Sequence, residues 1–378
     1  MNPPPARPYN GLVHSIGWRG AMPFLLACIC VVFVLPARAG AMLLNAGPAP
    51  VVVADMRSGS ITIRSWDRPQ IQVESDGQVS WQQIPPAEVE RRIPAQIPLA
   101  AQTLPTPRGP ISLPPERFVA PPLPHGPHSG VVIHGYGKTT IMIPRNTAMV
   151  IARIGHGFVA INGYQNGFFV AMVQTGRVRL TRVSGTGAVQ VLSGPIVAVN
   201  SNFTRLRART ARGNLIFEGC NAMQIEASSV LGSIAYDNGS FQPGLAHFQS
   251  EHGSVALGIA SGGVQIGAHS ASGHIYSDLG NGESVQRSPN DARAIVNGGG
   301  PVVTATSGTG AVILYHGSIR AHPRLQQHLR MFRAALLHRP PARRPPLIRR
   351  QQPMRRPPAS HRRRSPSWPA VGVSHPAA

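Results

Sequence analysis

The feature that most constrains this chain is a short motif, G-x-φ-x-φ with φ apolar, that keeps returning along it. Copies start at Gly59 (GSITI), Gly157 (GFVAI), Gly176 (GRVRL), Gly187 (GAVQV), Gly213 (GNLIF), Gly232 (GSIAY), Gly253 (GSVAL), Gly262 (GGVQI) and Gly310 (GAVIL), with weaker ones at Gly167 and Gly273. Gly157, Gly167, Gly176 and Gly187 are separated by 10, 9 and 11 residues, and Gly213, Gly232 and Gly253 by 19 and 21. Each copy alternates apolar and polar with period two, the mark of a half-buried strand. The leading glycine supplies a corner, by positive φ or by close backbone approach.

A five-residue strand cannot bury its apolar face alone, whereas stacked copies make one continuous core. The expectation is therefore an all-β fold: a repetitive β-solenoid of short glycine-started strands, two per turn of about 20 residues. An antiparallel sandwich with a hairpin every ten residues is the alternative. The expected inward set is Ile61, Ile63, Val159, Ile161, Val178, Leu180, Val189 and Val191, continuing through Leu215, Phe217, Ile234, Tyr236, Val255, Leu257, Val264, Ile266, Val312 and Leu314. Most are β-branched or aromatic, as strand interiors prefer. Charged residues are only 13% of the 378, which excludes a coiled coil or long helical bundle.

The ends of the chain read differently from its body. Residues 21–35 form an apolar run preceded by Arg19 and followed by Ala37-Arg38-Ala39, the layout of a secretory signal cleaved before Gly40. The run is short of the roughly 20 apolar residues that span a bilayer; an uncleaved anchor is the alternative. Leu25-Leu26-Ala27-Cys28 resembles a lipoprotein cleavage box, but the apolar run continues for seven residues beyond Cys28. With residues 1–39 removed, Cys220 is the one remaining cysteine, so neither an intramolecular disulfide nor a thiolate metal cluster is expected.

Residues 40–82 carry the first strands. Residues 83–129 hold 13 prolines and interrupt the repeat; because proline lacks the ladder donor, an extended or disordered excursion is expected. Residues 130–320 hold the rest of the repeat domain. Residues 321–338 have Leu325, Leu329, Phe332 and Leu336 on one helical face, an amphipathic helix expected to cap the last turn. Residues 339–378, rich in Arg and Pro, are expected to be a disordered tail. Of the net charge of +22, residues 320–378 contribute 14 Arg and no acid, so basicity belongs to this appendage and not to the folded body.

Several blocks carry a family resemblance: residues 51–77 (VVVADMRSGSITIRSWDRPQIQVESDG), 232–259 (GSIAYDNGSFQPGLAHFQSEHGSVALGI), 270–278 (SASGHIYSD) and 298–314 (GGGPVVTATSGTGAVIL). Their content and order resemble the bacterial "putative adhesin" domains of unknown function, over about 49–82 and 130–320. The proline-rich insertion and the basic tail depart from that pattern. The resemblance implies an exported, repetitive β domain and supplies no catalytic residues.

Motifs for chemistry are sparse. Gly137-Lys138-Thr139 lacks the upstream glycine of a phosphate loop, since Val132 stands there. No G-x-S-x-G, H-E-x-x-H or metal-spaced C-x-x-C occurs. His247 and His252 flank one strand, within reach of His269 or His274 if those lie on a neighbouring turn. Asp237 and Glu251 make a glycosidase-type pair only if folding brings them together. Arg177 and Arg179 alternate with apolar residues, as do Arg205, Arg207 and Arg209. Each set shares one strand face, and the five make a candidate anion-binding patch if their strands are neighbours, because guanidinium grips carboxylate and phosphate bidentately.

The functional expectation is an exported, non-enzymatic, adhesin-like structural or binding module that needs no cofactor and no metal. It would reside in the periplasm, at the cell surface or in secreted form. Its partner would be an envelope or cell-surface component such as an anionic polysaccharide or lipid, and no specific nucleic-acid motif is present. One alternative is a binder of anionic envelope polymer, lipid or nucleic acid through the Arg rows and tail. The other is a carbohydrate-active β-solenoid enzyme.

Overall fold

The chain is seen in a computed structural model that describes residues 41–85, 88–89, 96–99, 102–104, 111–113, 116–119, 128–279, 284–322 and 325. The signal segment 1–39, the tail 339–378 and nearly all of the helix expected over 321–338 lie outside the described residues.

In chain order the strands are β1 (Met42–Asn45), β2 (Val51–Trp66), β3 (Gln70–Ser75) and β4 (Val79–Ile84), then β5 (Gln96–Leu99), β6 (Gln102–Leu104), β7 (Ile111–Leu113) and β8 (Glu116–Val119) within the insertion. Three long strands follow: β9 (Gly130–Pro144), β10 (Met149–Asn162) and β11 (Gly167–Thr181). Beyond them each turn is split in two: β12 (Ser184–Ser193) and β13 (Ile196–Val199), β14 (Asn202–Arg212) and β15 (Leu215–Glu218), β16 (Asn221–Leu231) and β17 (Ile234–Phe241), β18 (Leu245–Ser250) and β19 (Val255–Ser261). The last are β20 (Val264–Ser270), β21 (Ile275–Asp278), β22 (Ser284–Arg287), β23 (Asp291–Val296), β24 (Val302–Ser307) and β25 (Val312–His316).

The protein is all-β, with a parallel, solenoid-like sheet. β2 pairs in parallel with β10, β10 with β11, and β11 with both β12 and β13. From there each first half-turn stacks on the next (β12, β14, β16, β18), and each second half-turn does likewise (β13, β15, β17, β19). This parallel pairing excludes the antiparallel sandwich. Stacking does not follow chain order throughout. β9 lies outside β2, and β24–β25 sits between β18–β19 and β20–β21.

Each turn bends at a glycine, and the bends stack. Gly137, Gly59, Gly157, Gly176, Gly194, Gly213, Gly232, Gly253, Gly310 and Gly273 form a ladder in which a Cβ on one would strike the carbonyl of its neighbour. Gly176 shows both demands: its φ is +146°, and a Cβ would lie 1.7 Å from the Gly157 oxygen. Gly253 needs only the space, its Cβ position being 2.3 Å from the Gly232 oxygen. Gly187, grouped with these by its motif, is different: it pairs with Phe169 and Leu206 in mid-strand and leaves room for the Phe169 ring. Beside the ladder runs a column of hydroxyls. Thr210, Ser229, Ser250, Ser307 and Ser270 each donate to a ladder carbonyl at 2.8–3.2 Å, which pairs buried acceptors at the bend.

All eighteen expected inward residues are buried in one core cluster between the two half-turn sheets. At the corner opposite the glycines, Tyr164 donates to the Thr147 and Phe168 carbonyls, and Tyr236 to those of Cys220 and Ser240. Burial pushes both phenols upward in pKa, and pushes the Cys220 thiol up to about 11. Cys220 is therefore a neutral packing group.

A second apolar cluster lies on the outer face of the first half-turn sheet: Val51, Val132, Met149, Ile151, Phe168, Val170 and Ala188, joined by Ile84 and Val89 at the start of the insertion. The insertion was expected to lack packed strands. Its described residues instead form short antiparallel ladders, β5 with β8 and β6 with β7, and β7 lies against β14. Proline is tolerated there because a two-stranded ribbon leaves half of its backbone donors unpaired in any case.

Both ends of the first half-turn sheet are covered by antiparallel strands, a device against edge-to-edge association. β3 and β4 pair with β9, and β1 with β3. At the far end β23 pairs with β20, and β22 with β23. The described residues that follow β25 lie against the outside of the second sheet. Their 3-10 turn (Ile319–Ala321) and Leu325 pack sideways on Ala256, Ile313 and Tyr315.

Candidate binding groove

At the β9 end, a mismatch in register builds a groove. Met56 pairs with Gly135 and Gly59 with Gly137, so Arg57 and Ser58 stand against the single residue Tyr136. Such a bulge re-aims side chains. The β3–β4 turn crosses here in backbone contact: a Cβ on Gly77 would lie 2.0 Å from the Tyr136 oxygen, and one on Gly135 2.2 Å from that of Gln78. Asp76 fixes the crossing, its Oδ1 accepting from Lys138 N at 2.6 Å, and Tyr136 N donates to Gln78 O at 3.1 Å. The resulting groove, of about 560 Å³, is lined by Asp55, Arg57, Gln78, Val79, Ser80, His134, Gly135 and Tyr136. That volume falls within the range of small-molecule sites.

Ser80, His134, Asp55 and Arg153 lie in one outward row across four adjacent strands, β4, β9, β2 and β10. The row holds a nucleophile, a base and a carboxylate, but the contacts of a charge relay are not made. The Ser80 hydroxyl donates to the His134 backbone oxygen at 3.4 Å. Among the described residues no ion pair joins His134 to Asp55. Asp55, Arg57 and His134 are exposed and Tyr136 is 50% exposed, its hydroxyl donating to Gln78 Oε1 at 3.2 Å. Among the described residues the Asp55, Arg57 and His134 side chains make no hydrogen bond or ion pair, and Tyr136 bonds to Gln78 within the groove itself.

A second, smaller groove of about 450 Å³ lies at the other end, between Gln265, Ile266 and Gly267 of β20, Arg293, Ala294 and Ile295 of β23, and Val302 of β24. Gly267 opens it, since no atom lies within 4 Å of where its Cβ would be. Exposed Leu245, Val302 and Ile295 stand nearby on consecutive and next-but-one strands.

The arginines proposed from sequence are not brought into one patch. Arg205, Arg207 and Arg209 lie on β14 in the first sheet, whereas Arg177 and Arg179 lie on the half of β11 that pairs with β13 in the second. Arg207 is held by Glu226, whose Oε2 accepts from Nε at 2.9 Å and from Nη2 at 2.6 Å. Arg209 is only 5% exposed, and the Arg177 guanidinium lies 4.8 Å from the centre of the Phe158 ring. Strand alternation placed each set on one face correctly. What it missed is that the corner glycine sends the two sets to different sheets.

The histidines are separated too. β24 stands between β18 and β20, so His247 meets Thr304, with Nδ1 2.6 Å from the threonine hydroxyl, and His269 meets Asp291. No group of three metal-type ligands gathers among the described residues. Asp237 serves the fold: it accepts from the Tyr315 hydroxyl at 3.0 Å, the Ser318 hydroxyl at 3.3 Å and Ile319 N at 2.8 Å.

Comparison with known proteins adds little to this geometry. No family model matches the chain, and no curated protein sequence matches it. Among solved structures, that of a "putative cell adhesion protein" from Clostridium sporogenes ATCC 15579 is similar at 11% identity, over 74% of this chain and 100% of that one, with a TM-score of 0.21. A likeness at that score carries no argument about function.

Proposed function

We propose that the chain is an exported, non-enzymatic, adhesin-like binding module whose ligand is an envelope or cell-surface component. The observation that carries this reading is the groove at the Arg57–Ser58 bulge. Its exposed Asp55, Arg57 and His134 side chains are unused by the fold, Tyr136 is fixed by Gln78, and all four stand on strands held in register by the glycine ladder. A scaffold of this kind holds side chains in straight rows at a spacing of about 4.8 Å, which suits recognition of an extended partner. Export rests on Arg19, the apolar run at 21–35 and Ala39.

The test is retention on isolated envelope. The full chain should be retained, and a variant with Arg57→Ala, His134→Ala and Tyr136→Ala together should be largely lost, with melting unchanged because all three are exposed. Equal retention of the two chains removes the groove from the function. Mass spectrometry of the exported protein should find Gly40 at its N-terminus, and an intact 1–35 segment overturns the cleavage.

A further inference from the structure

We infer that the groove takes a short stretch of acidic polysaccharide, with Arg57 in the groove and Arg153, next to Asp55 in the same row on β10, receiving its carboxylates and the Tyr136 ring receiving an apolar sugar face. The inference rests on the binding-module reading and names the ligand class of that same site.

Spacing comes first. Ser80, His134, Asp55 and Arg153 stand on successive strands, so their side chains repeat at about 4.8 Å, close to the length of one sugar ring. A polymer of such rings meets an equivalent row position at every residue, whereas a compact ligand does not need the row. Hydrogen-bonding capacity comes second. Ser80 and His134 each donate and accept, the Asp55 carboxylate only accepts, and the guanidinium groups only donate, so both partners of a sugar hydroxyl are supplied. Charge comes third. Arg57 lines the groove and Arg153 extends the row one strand beyond Asp55, so the two outnumber it, and among the described residues none of the three makes an ion pair. A ligand carrying its own carboxylates meets a site with cation to spare and bidentate geometry. Last, Tyr136 presents a half-exposed ring fixed at its hydroxyl by Gln78, an apolar platform with a polar rim. A single aromatic side chain among two arginines is too little for single-stranded nucleic acid, which is held by successive stacked bases along a basic track.

The experiment is calorimetric titration of the full chain with tetragalacturonate and with neutral cellotetraose. The acidic tetramer should bind more tightly, and Arg57→Gln and Tyr136→Ala should each weaken it at least about tenfold. Unchanged binding of the acidic tetramer in both variants assigns it to the Arg-rich C-terminal segment and overturns the inference. So does equal binding of the neutral tetramer. If neither tetramer binds while envelope retention persists, the ligand class is wrong and the binding-module reading stands. If retention is absent as well, both fall.

Discussion

The first half-turn sheet carries two kinds of outer face on one repeat. At β10 the first four residues are all buried, Met149 through Ala152, and β11 behaves likewise from Phe168 to Ala171. At β18 and β23 burial alternates strictly, and β24 keeps the same rhythm with Val302 exposed and Thr304 and Thr306 partly so. A single outward column makes the contrast plain: it reads Met149, Phe168, Thr186, Arg205, Gln224, Leu245 and Val302 across successive turns. Met149 is fully buried, whereas Leu245 is 65% exposed. Corner glycines, inward side chains and strand spacing are common to both regions, so the repeat itself does not decide what its outside is for. The difference lies in Ile84, Val89 and the insertion they begin, which join the apolar outer cluster at one end only.

The sharpest way to break this comparison is to place a charge at matched positions of that column. Phe168→Asp should destabilise by several kcal/mol, because it buries an unpaired carboxylate and can abolish folding. Leu245→Asp, in the same column on the bare half, should shift stability by less than about 0.5 kcal/mol. Chemical denaturation of the two variants decides it: equal losses would mean that the two outer faces are not different environments. Next in size is Ile84→Ala. At 4% exposure this side chain should cost about 2–5 kcal/mol if it seals the covered face, and far less if it merely lies near it.

Much of this division was visible in the chain, although only half of it was legible by alternation. Val178 stands out because Arg177 and Arg179 flank it. Runs such as Val51-Val52-Val53, Met149-Val150-Ile151 and Phe168-Phe169-Val170 break the alternation, and a break of that kind marks burial on both faces. The covering segment was harder to see, since its prolines argue against packed strands while saying nothing about where a loose ribbon comes to rest. The order of turns was not legible at all: β24 pairs as well with β18 as its neighbours in sequence would, because every turn offers much the same backbone and inward side chains. The groove escaped for a related reason. Asp55, Ser80 and His134 come from three separated segments, and only the β4–β9–β2 pairing sets them in a row.

A smaller effect tests how the bare half uses its charges. Arg207 sits between the two regions and is held to Glu226, the pair being 20% and 40% exposed at the side chains. A half-exposed pair of this type contributes little, so Arg207→Ala should cost under about 1 kcal/mol, with a loss that shrinks in high salt. A cost like that of Phe168→Asp would show that the covered region extends over β14.

The smallest expected effect concerns a charged contact that holds the lateral segment after β25. His322 places Nδ1 2.8 Å from Asp278 Oδ2 and Nε2 2.7 Å from the His316 backbone oxygen. Both partners are acceptors, so only the doubly protonated ring satisfies both contacts. Burial pushes the His322 pKa down, but the His316 carbonyl, the hydrogen bond and charge of Asp278 and the charge of Asp237 outweigh it, and the net shift is upward. Tyr315 completes the surroundings as a neutral phenol, its ring centre 5.7 Å away and its pKa raised by burial and by Asp237. A histidine whose folded pKa lies above its unfolded value contributes stability that is complete below the unfolded pKa of about 6.5 and is lost as pH rises through the folded value. Raising the pH from about 6 to 9 should therefore loosen the 3-10 turn at Ile319–Ala321 on the outer face of the second sheet while leaving the glycine ladder untouched. Hydrogen exchange of the Ala321 and His322 amides, corrected for the intrinsic effect of pH, should report faster local opening over that range. His322→Gln should open more readily at pH 6 and should lose the pH dependence. Identical protection in the two chains across the range would show that Asp237, through its bonds to Tyr315, Ser318 and Ile319, holds the segment without help from the imidazolium.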